Sequence, residues 1–142
     1  VCIVRADDAL AGATSLADFT GKNVQGQQNT IYDDIIDQIP SVNHMTPLQS
    51  YPLMVVSLQN GEADALTAEL PVATGVVTSN PSLSIVRFEA GKGFEADTTV
   101  SIAVKKGNTE LLNAIQAALD TIDTDTRNQW MTDAVSRQPA NG

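Results

Sequence analysis

Apolar positions along this chain follow two periods in turn, and the alternation predicts its elements. Val1 to Arg5 is a β-branched strand ending at an Asp pair, followed by a loop over Ala6 to Ala13. Thr14 or Ser15 caps a short helical turn, SLADF, with Asp18 three residues after Ser15. Gly21-Lys22 turns into a second strand, Asn23 to Gln27. Ile31, Ile35, Ile36 and Ile39 then fall at helical spacing, opposite Asp33, Asp34, Asp37 and Gln38, until Pro40 stops the helix. Val42 to Met45 is strand-like. Pro47 opens a helix to about Asn60, carrying Leu48, Leu53, Val56 and Leu58, with Gly61 as its stop. A short buried strand, ADALT, leads to a helix after Pro71. Asn80-Pro81 turns into a strand over Leu83 to Phe88, and AGKGF connects onward. Thr98 to Lys105 alternates like a strand. The longest helix, ELLNAIQAALDTI, carries Leu111, Leu112, Ile115, Ala118, Leu119 and Ile122 as its apolar stripe. A last helix from Asp125 to about Val135 carries Trp130, Met131 and Val135, before a polar tail, RQPANG, expected to fray.

This strand-helix order predicts the α/β class: a mostly parallel open sheet with helices on both faces. The opening strand and the closing strand-helix-helix flank a self-contained middle, and the final helices need a partner surface for their stripes.

The most informative stretch is GEADALTAELPVA, Gly61 to Ala73. Glu69 arrives at a strand's carboxyl end just before Pro71 opens a helix. There it faces the crevice where open α/β sheets bind ligands. It can accept charge-assisted hydrogen bonds from a ligand ammonium; the alternative is that it gains only from the adjacent helix dipole.

Composition narrows the classes. Hydrophobic residues make up 42% and charged residues 18%, enough apolar content for a core. Seventeen acids against eight bases give a net charge of -9, which argues against nucleic acid and anionic membrane surfaces. Cys2 is the single cysteine and His44 the single histidine, so neither a disulfide framework nor a zinc cluster is expected, and no metal or other cofactor is assigned. No nucleophile-elbow pattern accompanies His44. The apolar runs are too short for a membrane-spanning helix. The start in mid-pattern, VCIVRADD, without an initiator Met, leads us to expect a mature form or a fragment.

Four segments, in order, resemble the second half of the solute-binding proteins of amino-acid ABC transporters (extracellular solute-binding family 3, periplasmic-binding-protein-like type 2). SLADFTGKNV resembles the family's lead-in L-x-D-L-x-G-K-x-V. QGQQNT resembles its strand-to-helix turn V-x-x-G-T. SLQNGEADALTAELPVA resembles aL-x-x-G-x-x-D-A-x-x-x-D-x-P-x-A. SIAVKKGNTELLNAIQAAL resembles the strand and helix that re-enter the first lobe, with Trp130 where a Lys-Trp pair is frequent. Each motif alone is weak; four in register are strong.

The resemblance implies one lobe of a two-lobed fold that closes on an amino acid by hinge motion and docks on a membrane permease, outside the cytoplasm and without enzymatic activity. It implies residues 1–14 as an interlobe crossing strand and linker, 15–98 as the second lobe, and 99–142 as the return strand and C-terminal helices of the first lobe. Most of that first lobe, with the Arg that clamps the ligand carboxylate, is missing from this sequence. Carried over by motif, Glu69 holds the α-ammonium and Thr30 the α-carboxylate, through hydroxyl and backbone amide. A helix start suits an anion. Ile31 follows in the same turn. Asn29 stands where the family has Gly, and Asn tolerates left-handed φ. Gln27 and Gln28 can reach the ligand side chain, Ala68 leaves room, and Asp64 is structural. A dehydratase of cyclic acids, with Glu69 as general acid, and a receptor sensory domain are the alternatives on this fold.

Overall fold

The computed structural model describes residues 1–97 and 99–137. Thr98, the Val135 side chain and the expected frayed tail from residue 138 lie outside the described residues. The chain divides into two units: Val1–Ala96 forms one, and the other starts at Asp97 and holds the last two helices.

The first unit is built on a five-stranded sheet. Its strands are β1 (Cys2–Arg5), β2 (Asn23–Gln25), β3 (Asn43–His44), β4 (Ala65–Thr67) and β5 (Leu83–Val86), in the order β3-β2-β4-β1-β5. β2 pairs in parallel with β3 and β4, whereas β1 pairs antiparallel with β4 and β5. Four strands thus run one way and β1 runs against them, a mixed α/β sheet in which two of the four pairings are parallel. β1 lies inside this sheet because both its faces are apolar. Cys2 and Val4 enter one core cluster, with Phe19, Val24, Ile36, Ile39, Ala65 and Val86. Ile3 enters the other, with Met54, Val55, Leu58, Leu66, Ala73 and Leu83. The period of two places successive residues on opposite faces, so one four-residue strand feeds two cores.

Helices cover both faces. α1 (Ile31–Asp34) continues as a 3-10 turn, Ile35–Gln38, instead of running as one α-helix to Pro40. Ile, Asp and Tyr are weak helix formers, so packing sets the local winding. The tighter winding brings Ile36 and Ile39, three residues apart, into the core. α2 (Tyr51–Gln59) starts four residues later than its Pro47 signal, because Leu48 is held extended in a parallel bridge to Gln27. Ser50 is its N-cap and Pro52 sits in its first turn. α3 (Leu70–Ser79) follows β4 through Ala68 and Glu69. The SLADF segment is a 3-10 turn, Leu16–Phe19, where the Asp18 carboxylate accepts from the Ser15 N–H at 2.9 Å and its hydroxyl at 3.0 Å.

In the second unit, α4 (Thr109–Leu119) starts at Asn108, whose side chain accepts from the Leu111 N–H, and α5 (Thr124–Ser136) follows. The strand expected to end at Lys105 does not form over residues 99–105. Alternation alone is insufficient, because a strand needs a neighbour for its backbone groups and these residues pair with none among the described ones. The first unit begins at Val1, and β1 is one of its inner strands. No helix among the described residues is long and apolar enough to cross a membrane.

Candidate ligand-binding site

Parallel pairing brings the carboxyl ends of β2 and β4 side by side, with Val24 opposite Ala65 and Gln25 opposite Leu66. Each strand then hands over to a helix, and the crevice between the two handovers is the candidate site.

On the β4 side, Glu69 is the N-cap residue of α3, in extended backbone (φ -69°, ψ 147°), and its side chain makes no capping hydrogen bond. The carboxylate is exposed and not spent on its own helix. Its neighbours are the two tyrosines of the chain. Burial first, then the charge of Glu69, holds the Tyr32 phenol above its ordinary pKa. Burial, with Tyr32 and Glu69 adding to it, pushes the Tyr51 phenol up to about 12. Both phenols therefore stay protonated donors at neutral pH. The Tyr51 hydroxyl donates to the Thr67 carbonyl at 3.1 Å.

On the β2 side, Gly26 ends the strand with no space for a side chain: a Cβ there would lie 2.5 Å from the Asp33 Cα. α1 therefore sits directly on the strand end. The next residues are fastened to the 48–49 segment. The Gln28 N–H donates to the Leu48 carbonyl at 2.8 Å, the Leu48 N–H to the Gly26 carbonyl at 3.3 Å, and the Gln27 Nε2 to the Gln49 carbonyl at 3.1 Å. Asn29 adopts φ 61°, the left-handed conformation expected of the residue standing in for Gly. Thr30 is extended and precedes α1; its hydroxyl donates to the Gln27 carbonyl at 2.8 Å. Among the described residues, the backbone N–H groups of Asn29, Thr30, Ile31 and Tyr32 have no protein acceptor. α1 is a single turn, so these directed donors, and not a macrodipole, are what the turn offers an anion.

Of the sequence-derived residues, Thr30 and Glu69 take equivalent places, each as the N-cap of the helix that follows its strand, and the charge of Glu69 reaches Tyr32, which follows the 29–31 turn. Gln27 is half-buried with its amide engaged, Gln28 is exposed, and Ile31 is half-buried as the first residue of α1. Ala68 does not line the crevice; it is buried in the core beside Leu66 and Ala73. Asp64 is structural: its carboxylate accepts from the Asn23 N–H at 2.9 Å and lies 3.5 Å from Arg5. Tyr32, Tyr51 and Thr67 were not legible as site residues from spacing. A usable signal was that the chain has only two tyrosines and both flank motif segments.

His44 and Cys2 lie apart from this chemistry. Both His44 ring nitrogens are taken, by Asp33 at 3.0 Å and Asp37 at 2.9 Å. Cys2 is fully buried, and burial pushes its thiol up to about 12, so it is inert core. Among the described residues, no group of three His, Cys, Asp or Glu side chains is set to hold a metal.

No family model matches the chain. A provisionally named ABC transporter arginine-binding protein 2 of Escherichia coli K12 is 32% identical over 113 residues, 79% of this chain and 46% of that protein. The crystal structure of the amino acid ABC transporter substrate-binding protein AbpA from Streptococcus pneumoniae, bound to L-arginine, is 25% identical, with a TM-score of 0.69 over 95% of this chain and 56% of that one. Domain 2 from TmArgBP shares the fold at 24% identity and a TM-score of 0.55, over 66% of this chain and 92% of that one. The chain spans about half the length of the two longer relatives. In sequence and fold the chain is thus similar to about half of an amino-acid ABC transporter substrate-binding protein.

Proposed function

We propose that this chain supplies the second lobe and C-terminal segment of an extracytoplasmic solute-binding protein that captures an amino acid for ABC-transporter uptake. The observation that carries the reading is a carboxylate free of capping duty, Glu69, just past the end of β4, and four unpaired backbone donors, Asn29 to Tyr32, past the end of the neighbouring strand β2. Glu69 takes the ligand ammonium and the 29–32 turn its carboxylate. A first lobe supplies the other wall of the cleft; the exposed stripe of α4 and Trp130 of α5 support its packing there. Closure of the two lobes removes water from both ends of the ligand and strengthens each contact. A permease then receives the closed form.

The ligand class we propose is a basic amino acid. Support comes from the names of the relatives, one called arginine-binding and one bound to L-arginine, and from the net charge of -9, which favours a cationic ligand over an acidic one. Calorimetry on the two-lobed protein with a panel of amino acids tests the reading. L-arginine is expected to bind, and Glu69→Ala to weaken it by roughly 30-fold or more, the loss that follows truncation of a buried charge partner. Absence of binding to any zwitterion, or unchanged affinity in the variant, overturns the assignment.

A further inference from the structure

One buried hydroxyl ties the two halves of this site together. Thr67, the last residue of β4, has no solvent exposure. Its Oγ1 donates to the Tyr32 carbonyl at 2.6 Å and lies at 3.5 Å from the Gln25 carbonyl; its own carbonyl accepts the Tyr51 hydroxyl at 3.1 Å. The hydroxyl has one hydrogen, and the short contact to Tyr32 takes it. Its neighbours on the chain, Ala65, Leu66 and Ala68, are all apolar and buried. A polar side chain in such a setting has its use in the bond it makes. That bond joins the first turn of α1, which carries the free N–H donors, to the strand that delivers Glu69 two residues later.

We propose that Thr67 is a positioning residue that sets the spacing between Glu69 and the 29–32 turn, and so selects α- over β-amino acids. An α-amino acid has one carbon between ammonium and carboxylate carbon, and a β-amino acid has two. A clamp whose two jaws are bonded to each other accepts one spacing better than the other. This inference rests on the amino-acid reading of the site.

The test is calorimetry on the two-lobed protein with L-arginine and L-β-homoarginine. Thr67→Val keeps the volume and removes the bond. It is expected to weaken L-arginine about tenfold while changing L-β-homoarginine by less than about twofold. Thr67→Ser is expected to restore the wild-type ratio. A purely structural role would lower the melting temperature and leave the α/β ratio unchanged, and that result overturns the proposal. Should Thr67→Val fail to fold, Tyr51→Phe loosens the same residue through its carbonyl, and an unchanged ratio there is equally fatal. Glu69→Ala separates the two readings: lost L-arginine binding in that variant beside an unchanged ratio in Thr67→Val sinks only the role of Thr67. A wild-type protein that binds neither probe sinks the reading beneath it.

Discussion

The two units of this chain carry apolar residues to opposite ends. Among the described residues, every buried hydrophobic lies between Cys2 and Val86. The second unit has the clearest helical stripe in the sequence, yet Leu111 and Leu112 are 46% exposed on α4 and Trp130 is 56% exposed on α5. α2 is apolar nearly all round, has little periodicity, and buries Met54, Val55 and Leu58. Amphipathic spacing therefore reports that a helix has a face made for a partner. It does not report whether the partner lies in the same stretch of chain.

That contrast predicts a large difference between two identical substitutions. Leu66 is fully buried between β1 and β2. Leu66→Ala is expected to destabilise the first unit by about 2–5 kcal/mol in urea unfolding of the 142-residue chain. Leu112→Ala is expected to stay within about 0.5 kcal/mol of wild type. Equal losses would mean that the α4 stripe is packed in solution and that the contrast is wrong.

A pair of glycines sharpens the same comparison. Gly26 has Asp33 backbone 2.5 Å from where a Cβ would sit, so Gly26→Ala must push α1 off the strand end, at about 1–3 kcal/mol. Gly107, in the second unit, has φ +90° and nothing within 4 Å of its Cβ position. Gly107→Ala strains only its own turn, by about 1 kcal/mol, and leaves the first unit's unfolding midpoint where it was. A shift of that midpoint would show the two units to be one cooperative block.

Much of the first unit was legible because its signals are local. Pro71 in the first turn of α3, the β-branched residues of β1 and the Ser15–Asp18 pair each act within a few positions. Asn29 was read from the resemblance, as the residue standing where the family has Gly, and its φ is 61°. What was not legible depends on partners far along the chain. The late start of α2 follows from Leu48 pairing with Gln27, and the direction of β1 from its neighbours β4 and β5. At the site, Glu69 was found because a strand end followed by Pro is a sequence pattern. Thr67 was missed because its role is a bond to Tyr32, 35 residues away, and no pattern encodes it.

The smallest expected effect concerns His44, which fastens β3 to α1 and the turn after it. Among the described residues all ion pairs fall in the first unit, and this one bears on the element that carries the site's donors. Burial alone would lower the imidazole's pKa, but the hydrogen bonds and charges of Asp33 and Asp37 outweigh it and hold the value above the ordinary one. A group whose pKa rises on folding stabilises the fold through its bound proton. The contribution is whole below the ordinary value of about 6.5 and fades as pH climbs through the raised folded value. Asp37 is 76% exposed, so water and salt screen its share, and the whole contribution is about 1 kcal/mol or less. Urea midpoints of the wild-type chain are therefore expected to fall slightly as pH rises above about 6.5, and those of His44→Gln to stay flat over that window apart from what other groups contribute. Raising the ionic strength should shrink the difference between the two. Parallel curves for the two proteins would show that the clamp contributes nothing, and that α1 and the turn after it are held by the Thr67–Tyr32 bond and the packing of Ile36 and Ile39 without it.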